Sequence, residues 1–197
     1  FSPHAVVLVD FPGFNLWLGP ELKRRGARVF YYIAPQVWAW HAERAQAMAR
    51  WVDRLAVVFP FEEPLFRSAG VETTFVGHPL MDGLKPEVEE TIFRAELGAA
   101  PGQRILGLLP GSRAQELERH LKPMLAAARE LTRTRPDLLA VLPLAPGLEP
   151  RGLKPSGLGG VRLVRGRVHA TQAFATACAV ASGTATLETA LFGTPLV

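Results

Sequence analysis

Two segments of the sequence end an apolar run in a glycine corner and continue into a helical pattern. In "LLPGSRAQEL" (108–117) the run stops at Pro110 and Gly111, and Ser112 and Arg113 then open a charged stretch. A glycine lets the backbone approach a ligand, a helix start points unpaired N–H groups outward, and a guanidinium can hold two oxygens of one anion. That combination suits a phosphate. An ordinary capped helix, with Ser112 as cap and Arg113 in solvent, is the alternative. An arginine in the first turn opposes the helix dipole, which favours the anion. In "ASGTATLE" (181–188), Ser182, Gly183 and Thr184 again turn a strand into a helix. Glu188 follows Thr184 by four residues and so lies on the same helical face, where its carboxylate can accept both hydroxyls of a ribose. This is not a Walker loop, because no Gly-Lys-Ser/Thr is present. A capped helix with an exposed Glu188 fits the same residues.

Three further corners carry reactive or recognition side chains. Asp10 ends the apolar run of "VDFPGFN" (9–15), where a carboxylate can act as general base or simply form a turn. His78 in "VGHP" (76–79) stands at another strand end, either structural or at a ligand. Trp38 and Trp40 in "PQVWAWHAER" (35–44) are two residues apart just before a helix and cannot share one buried helical face. They either pack on the sheet or wall a site for a sugar ring or an acyl chain. No His/Cys/Asp cluster has metal-ligand spacing, so no metal is expected.

These corners need a scaffold that brings strand ends together, and the chain alternates short β-branched runs with longer helical patterns. Strands are expected at 5–10, 28–34, 54–59, 73–79, 104–111, 138–145, 161–166 and 177–182, with "TPLV" as a last strand. Helices are expected at 15–26, 41–53, 61–70, 88–97 and 184–193, with a short helix from Ser112 and a second one starting at Pro123. Apolar runs without polar alternation are strands buried on both faces, so the fold class is α/β with parallel sheets. Glycines and prolines loosen the pattern between Met81 and Gln103. The expected organisation is therefore two Rossmann-like halves, residues 1–85 and 104–197, joined by a linker at 86–103. In open parallel sheets ligands sit outside the carboxyl ends of the strands, which is where all these corners fall.

Bulk properties narrow the partners. The chain has 197 residues, a net charge of +4, and basic residues dispersed rather than clustered. An anionic partner fits, whereas nucleic acid is not expected without a basic stripe and interleaved aromatics. The single cysteine, Cys178, excludes a disulfide within the chain and fits a reducing compartment. No apolar run reaches the roughly 18 residues of a spanning helix. The sequence opens on Phe1 directly into a structural segment and closes on a strand cut short. A piece of a longer protein without a visible signal peptide is expected.

Taken together and in order, "VDFPGFN", "YYIAPQVWAW", "FPFEEPLF", "VGHPLMD", "LLPGSRAQEL" and "ASGTATLETAL" resemble the lipid-A-disaccharide synthases. The resemblance spans nearly the whole chain and implies a GT-B type glycosyltransferase, incomplete at both ends. It implies transfer of 2,3-diacylglucosamine from its UDP donor to 2,3-diacylglucosamine 1-phosphate, giving a β-1,6 disaccharide and UDP. Such an enzyme is inverting, uses no cofactor, and works as a peripheral protein at the cytoplasmic face of the inner membrane; self-association is left open. By the same resemblance Asp10 and Arg113 are required for activity. Gly111, Ser112, Arg113, Ser182, Gly183, Thr184 and Glu188 hold the nucleotide-sugar, and Trp38, Trp40 and His78 face the acceptor or its acyl chains. Gly13 stands where many members carry an acid, and the family's Gly-Glu-x-Ser-Gly-Asp segment does not occur in the chain. Another UDP-sugar transferase, a UDP-N-acetylglucosamine 2-epimerase and a non-catalytic UDP-sugar-binding fragment are the alternative readings.

Overall fold

The computed structural model describes residues 3–37, 43–144 and 158–197. The chain divides into two compact units, Phe1–Asp82 and Gly83–Val197, each with its own parallel sheet. The first unit runs β1 (Val6–Val9), α1 (Pro12–Arg24), β2 (Val29–Tyr32), α2 (Glu43–Met48), β3 (Arg54–Val57), α3 (Glu62–Ser68), β4 (Thr73–Phe75) and α4 (Leu80–Gly83). Its strands lie in the order β1-β2-β3-β4, all parallel. Val29, Tyr31, Leu55 and Val57 alternate inward and meet Met48 and Phe66 from the helices in one apolar core. Lys23 of α1 pairs with Asp53 at 2.6 Å, and the same carboxylate accepts the Val29 N–H at 2.8 Å, so one side chain ties a helix to the start of β2.

The second unit runs α5 (Glu90–Leu97), β5 (Arg104–Leu109), α6 (Ala114–Thr134), β6 (Leu138–Leu144), β7 (Arg162–Arg165), α7 (Val168–Phe174), β8 (Ala177–Val180) and α8 (Thr184–Leu191). Its strand order is β7-β6-β5-β8, again parallel throughout. The chain steps outward from β5 to β6 and β7, then returns to place β8 on the other side of β5. The period of two along the strands sorts their side chains onto two faces. Leu108 and Leu142 pack under α6, while Ile105 and Val141 pack under α5 and α7. At the centre of the β5–β8 pair, Gly107 lies opposite Cys178, and a Cβ there would come within 2.7 Å of its sulfur. Burial pushes the Cys178 thiol up to about 12, so it behaves as a small apolar filler.

Several sequence expectations are corrected. Residues 86–103, expected as a linker, belong to the second unit, because Phe93 and Leu97 of α5 bury fully against Ile105, Val141 and Ala170. The two helices expected from Ser112 and from Pro123 are one continuous helix, α6, with Pro123 inside it. An interior proline costs about 3 kcal/mol. Leu117, Leu121, Leu125 and Ala128 form an unbroken buried stripe whose burial, at about 2 kcal/mol for each leucine, outweighs that cost. Helix α7 is not foreseen, being short and without a clear apolar period. The strand expected at 73–79 ends at Phe75. The terminal "TPLV" contributes an isolated parallel bridge between Leu196 and Cys178.

Candidate nucleotide site

The strand order fixes where a ligand can sit in the second unit. Helices leave adjacent strands in opposite directions at β5 and β8, and the crevice at such a switch point is the usual ligand position of an open parallel sheet. The two glycine corners follow these two strands and are joined there by the Ala181 N–H, which donates to Leu109 O at 2.8 Å. Both corners line one cavity of about 570 Å³. Gly111, Ser112 and Arg113 stand on one side and Ser182, Gly183 and Thr184 on the other, with Glu188 one turn into α8. Sequence distance gives no hint of this meeting, since the corners are some seventy residues apart.

The corner after β5 has backbone geometry only glycine adopts readily. Gly111 has φ +119°, and a Cβ on it would lie 2.4 Å from Glu116 Oε2 and 2.6 Å from Glu116 Cβ. Glu116 itself was not singled out by the sequence reading. Its carboxylate accepts the Ser112 N–H at 2.8 Å, the Arg113 N–H at 3.2 Å and the Arg113 guanidinium at 2.7 Å. The Arg113 guanidinium, followed by these two amides, holds the Glu116 carboxyl below its ordinary value. An internal anion therefore sits on the donors that the sequence offers to a phosphate. This Glu stands at the third helical position, as in a capping box, but the capping residue is Arg113 and Ser112 is four residues away, so the Ser/Thr-x-x-Glu signature is not in the sequence. Glu116 also gives Arg113 a partner, so the dipole argument alone does not require an external anion.

The corner after β8 is open. The Thr186 N–H donates to the Gly183 carbonyl at 3.1 Å, while Gly183, Thr184 and Ala185, whose N–H groups precede the intrahelical ladder, line the cavity. Glu188, with 16% of its side chain exposed, accepts the Gln172 amide at 3.1 Å on Oε2 and lies 3.9 Å from His169 Nε2 on Oε1. His169 and Gln172 belong to α7, whose start is fixed by Glu87 accepting the His169 and Ala170 N–H groups at 3.0 and 2.7 Å. Glu87, His169 and Gln172 escaped the sequence reading. The available signal was that two strands of one parallel sheet, β7 and β8, need a crossover between them, which makes 167–176 a structured connection rather than a loop.

In the first unit Asp10 is exposed at the carboxyl end of β1. Its backbone is strained: Asp10 and Phe11 have φ of +44° and +42°, conformations that non-glycine residues rarely adopt. The Asp10 carbonyl is clamped by Asn15 Nδ2 and by the Tyr31 hydroxyl, each at 2.7 Å. Burial pushes the Tyr31 phenol up to about 12, keeping it a neutral donor. His78 is half-buried; its Nδ1 accepts the Leu80 N–H at 3.2 Å, and its ring packs on Phe59. Trp38 and Trp40 lie outside the described residues. A cavity of about 810 Å³ runs between α1 and α2, with Leu16, Trp17, Met48 and Trp51 as apolar wall and Lys23, Arg24, Arg44 and Arg50 as cations. Among the described residues no cluster of His, Cys, Asp or Glu could hold a metal ion, and no helix is long and apolar enough to cross a membrane.

A family model for lipid-A-disaccharide synthetase matches residues 2–197. The chain belongs to the lipid-A-disaccharide synthetase family. Its relatives include the lipid-A-disaccharide synthase of Syntrophus aciditrophicus, 46% identical over 200 residues that cover 100% of this chain and 52% of that protein. The lipid-A-disaccharide synthase of Geobacter sulfurreducens is 42% identical over 199 residues, covering 99% of this chain and 52% of the relative. The family member described here thus spans about half the length of these curated relatives. Among solved structures, Staphylococcus aureus MnaA in complex with UDP aligns with a TM-score of 0.66 at 15% identity, covering 98% of this chain and 56% of that one. The Neisseria meningitidis UDP-GlcNAc 2-epimerase bound to UDP-GlcNAc gives 0.66 at 14% identity, covering 100% and 59%. At such identities the likeness shows a shared fold of the GT-B-like class and nothing about chemistry.

Proposed function

We propose that the protein is a glycosyltransferase that moves 2,3-diacylglucosamine from UDP to 2,3-diacylglucosamine 1-phosphate, forming a β-1,6 disaccharide 1-phosphate and UDP. The observation that carries this reading is the meeting of both glycine corners and Glu188 in one cavity at the switch point of a family member's sheet. The pyrophosphoryl group takes the place of the Glu116 carboxylate on the Ser112 and Arg113 N–H groups and meets the open amides around Gly183 and Thr184. Ser182 flanks that turn, and Gly111 allows the close approach. Glu188 accepts the ribose hydroxyls.

In the reaction the 6-hydroxyl oxygen of the acceptor attacks the anomeric carbon and the bond to the diphosphate breaks, inverting the centre. The hydroxyl proton passes to the Asp10 carboxylate, and the bonding pair leaves with UDP. No metal or cofactor is assigned; Arg113 and the backbone amides offset the charge that builds on the leaving group. The strained, clamped carbonyl of Asp10 supports a fixed position for this residue, since strain of this kind clusters at functional sites. The cavity between α1 and α2, apolar with a cationic rim, has the chemistry of an acylated anion and supports the first unit as the acceptor side. Trp38, Trp40 and His78 are assigned to that side as well. Acylated substrates place the protein at the cytoplasmic surface of the inner membrane as a peripheral enzyme, with self-association allowed.

The test is transfer between the two acylated sugars, followed by mass spectrometry. Arg113→Ala should lower turnover about a hundredfold, the usual cost of one donor to a developing anion. Asp10→Asn should abolish transfer while leaving UDP binding intact. Near-normal turnover in either variant removes the role assigned to that residue.

A further inference from the structure

Gln172 is a buried amide with an incomplete set of partners. It is fully buried in α7, and its Oε1 has no hydrogen-bond partner among the described residues. Its Nε2 donates to Glu188 Oε2 at 3.1 Å and to the Ala185 carbonyl at 3.2 Å. The orientation is fixed by chemistry, because a flipped amide would turn its oxygen on a carbonyl and a carboxylate. An unsatisfied buried acceptor is costly, and a methionine or leucine would fill the same space without one. The fold does not need this amide to hold α7. Glu87 fixes the start of the helix, Thr171 Oγ1 donates back to the Arg167 carbonyl, and Thr194 Oγ1 donates to the Gln172 backbone carbonyl at 2.6 Å. What the side chain does is join α7 to the first turn of α8 and fix one oxygen of Glu188.

We propose that Gln172 is the positioning residue of the nucleotide site, setting Glu188 to take the vicinal diol of a ribonucleoside diphosphate rather than a deoxyribonucleotide. The inference rests on the reading of Glu188 as the ribose ligand. An amide suits the task better than a cation. It donates a charge-assisted hydrogen bond that orients the carboxylate while leaving the negative charge in place for the diol. Oε2 keeps a lone pair beside the Gln172 contact, and Oε1 makes no hydrogen bond among the described residues, His169 Nε2 standing 3.9 Å away. The two oxygens are thereby set for two neighbouring hydroxyls. Loss of the amide leaves Glu188 free to rotate and weakens selection for the 2′-hydroxyl without touching the diphosphate contacts.

The test is calorimetric titration of the full chain with UDP and with 2′-deoxy-UDP, reading the ratio of the two affinities. Gln172→Met should cut the preference for UDP by about tenfold and leave 2′-deoxy-UDP binding unchanged. Gln172→Asn keeps the amide but falls one methylene short of Glu188, and should act in the same direction; it carries the test if the methionine variant does not fold. Glu188→Gln should erase the preference, and adding Gln172→Met to it should change nothing more. If Glu188→Gln erases the preference while both Gln172 variants keep it, or weaken the two nucleotides equally, the positioning role is refuted. If Glu188→Gln itself keeps the preference, the ribose reading falls and this inference falls with it.

Discussion

Replacing Gly111 by alanine tests the nucleotide corner through its backbone and its neighbour at once. At φ +119° an L residue is strained, which costs about 1–3 kcal/mol. The new Cβ would also stand 2.6 Å from Glu116 Cβ, an atom close to the helix backbone that cannot swing away as the carboxylate can. The Glu116 carboxylate must rotate away and release the Ser112 and Arg113 N–H groups, and the start of the helix must shift to part the two Cβ atoms. Taking about 2 kcal/mol for the backbone, the thermal transition of the second unit should fall by roughly 6–10 °C. UDP should bind about tenfold more weakly, because the methyl group occupies the space through which the diphosphate approaches. Circular dichroism melting gives the first number and calorimetric titration the second. In a Glu116→Ala background the clash with the carboxylate is gone but the 2.6 Å approach to the Cβ at position 116 remains, so Gly111→Ala should cost less than in the parent and still more than the backbone strain alone. A variant that melts with the parent and binds UDP as tightly would refute both the strain and the close approach.

Two further perturbations probe the scaffold. Lys23, and after it the Val29 N–H, hold the Asp53 carboxyl below its ordinary value of 3.8. A depressed carboxylate stabilises the fold fully above that value, and the contribution is lost as pH falls through the lower folded value. Asp53→Asn should therefore lower the urea midpoint at pH 7, and the gap to the parent should narrow as the pH falls below 3.8; a gap that does not change with pH would exclude the charge as its origin. At the centre of the second sheet, Gly107→Ala should destabilise by about 1–3 kcal/mol through the 2.7 Å approach to Cys178 Sγ. Combining it with Cys178→Ala should recover part of that loss in a double-mutant cycle, and strict additivity would place the strain elsewhere.

The elements that position the site were legible where their signals are local. Strands β5 and β8 are short apolar runs ended by Pro-Gly and by Ser-Gly, and α8 begins within one residue of its expected start. Glu116 was less so, because the residue three before it is Arg113 and not a capping Ser or Thr. Helix α7 was not, because seven residues with one buried alanine and two buried polar side chains give no apolar period. Pro123 misled in the opposite direction. A local breaker suggested two helices, but the leucine stripe on either side of it continues one buried face.

By itself the sequence determined the alternation of parallel strands and helices, the glycine corners at their junctions, and the family to which these motifs belong. Each of those follows from side-chain periodicity and backbone freedom over a few residues. Only the tertiary structure decided that β8 returns to lie beside β5, because strand order is set by crossovers that span the whole unit. That return brings Gly111, Gly183 and Glu188 to one cavity and sets Gln172 against Glu188. Contacts between residues far apart in the chain exist only once the long-range packing of the sheet has been fixed.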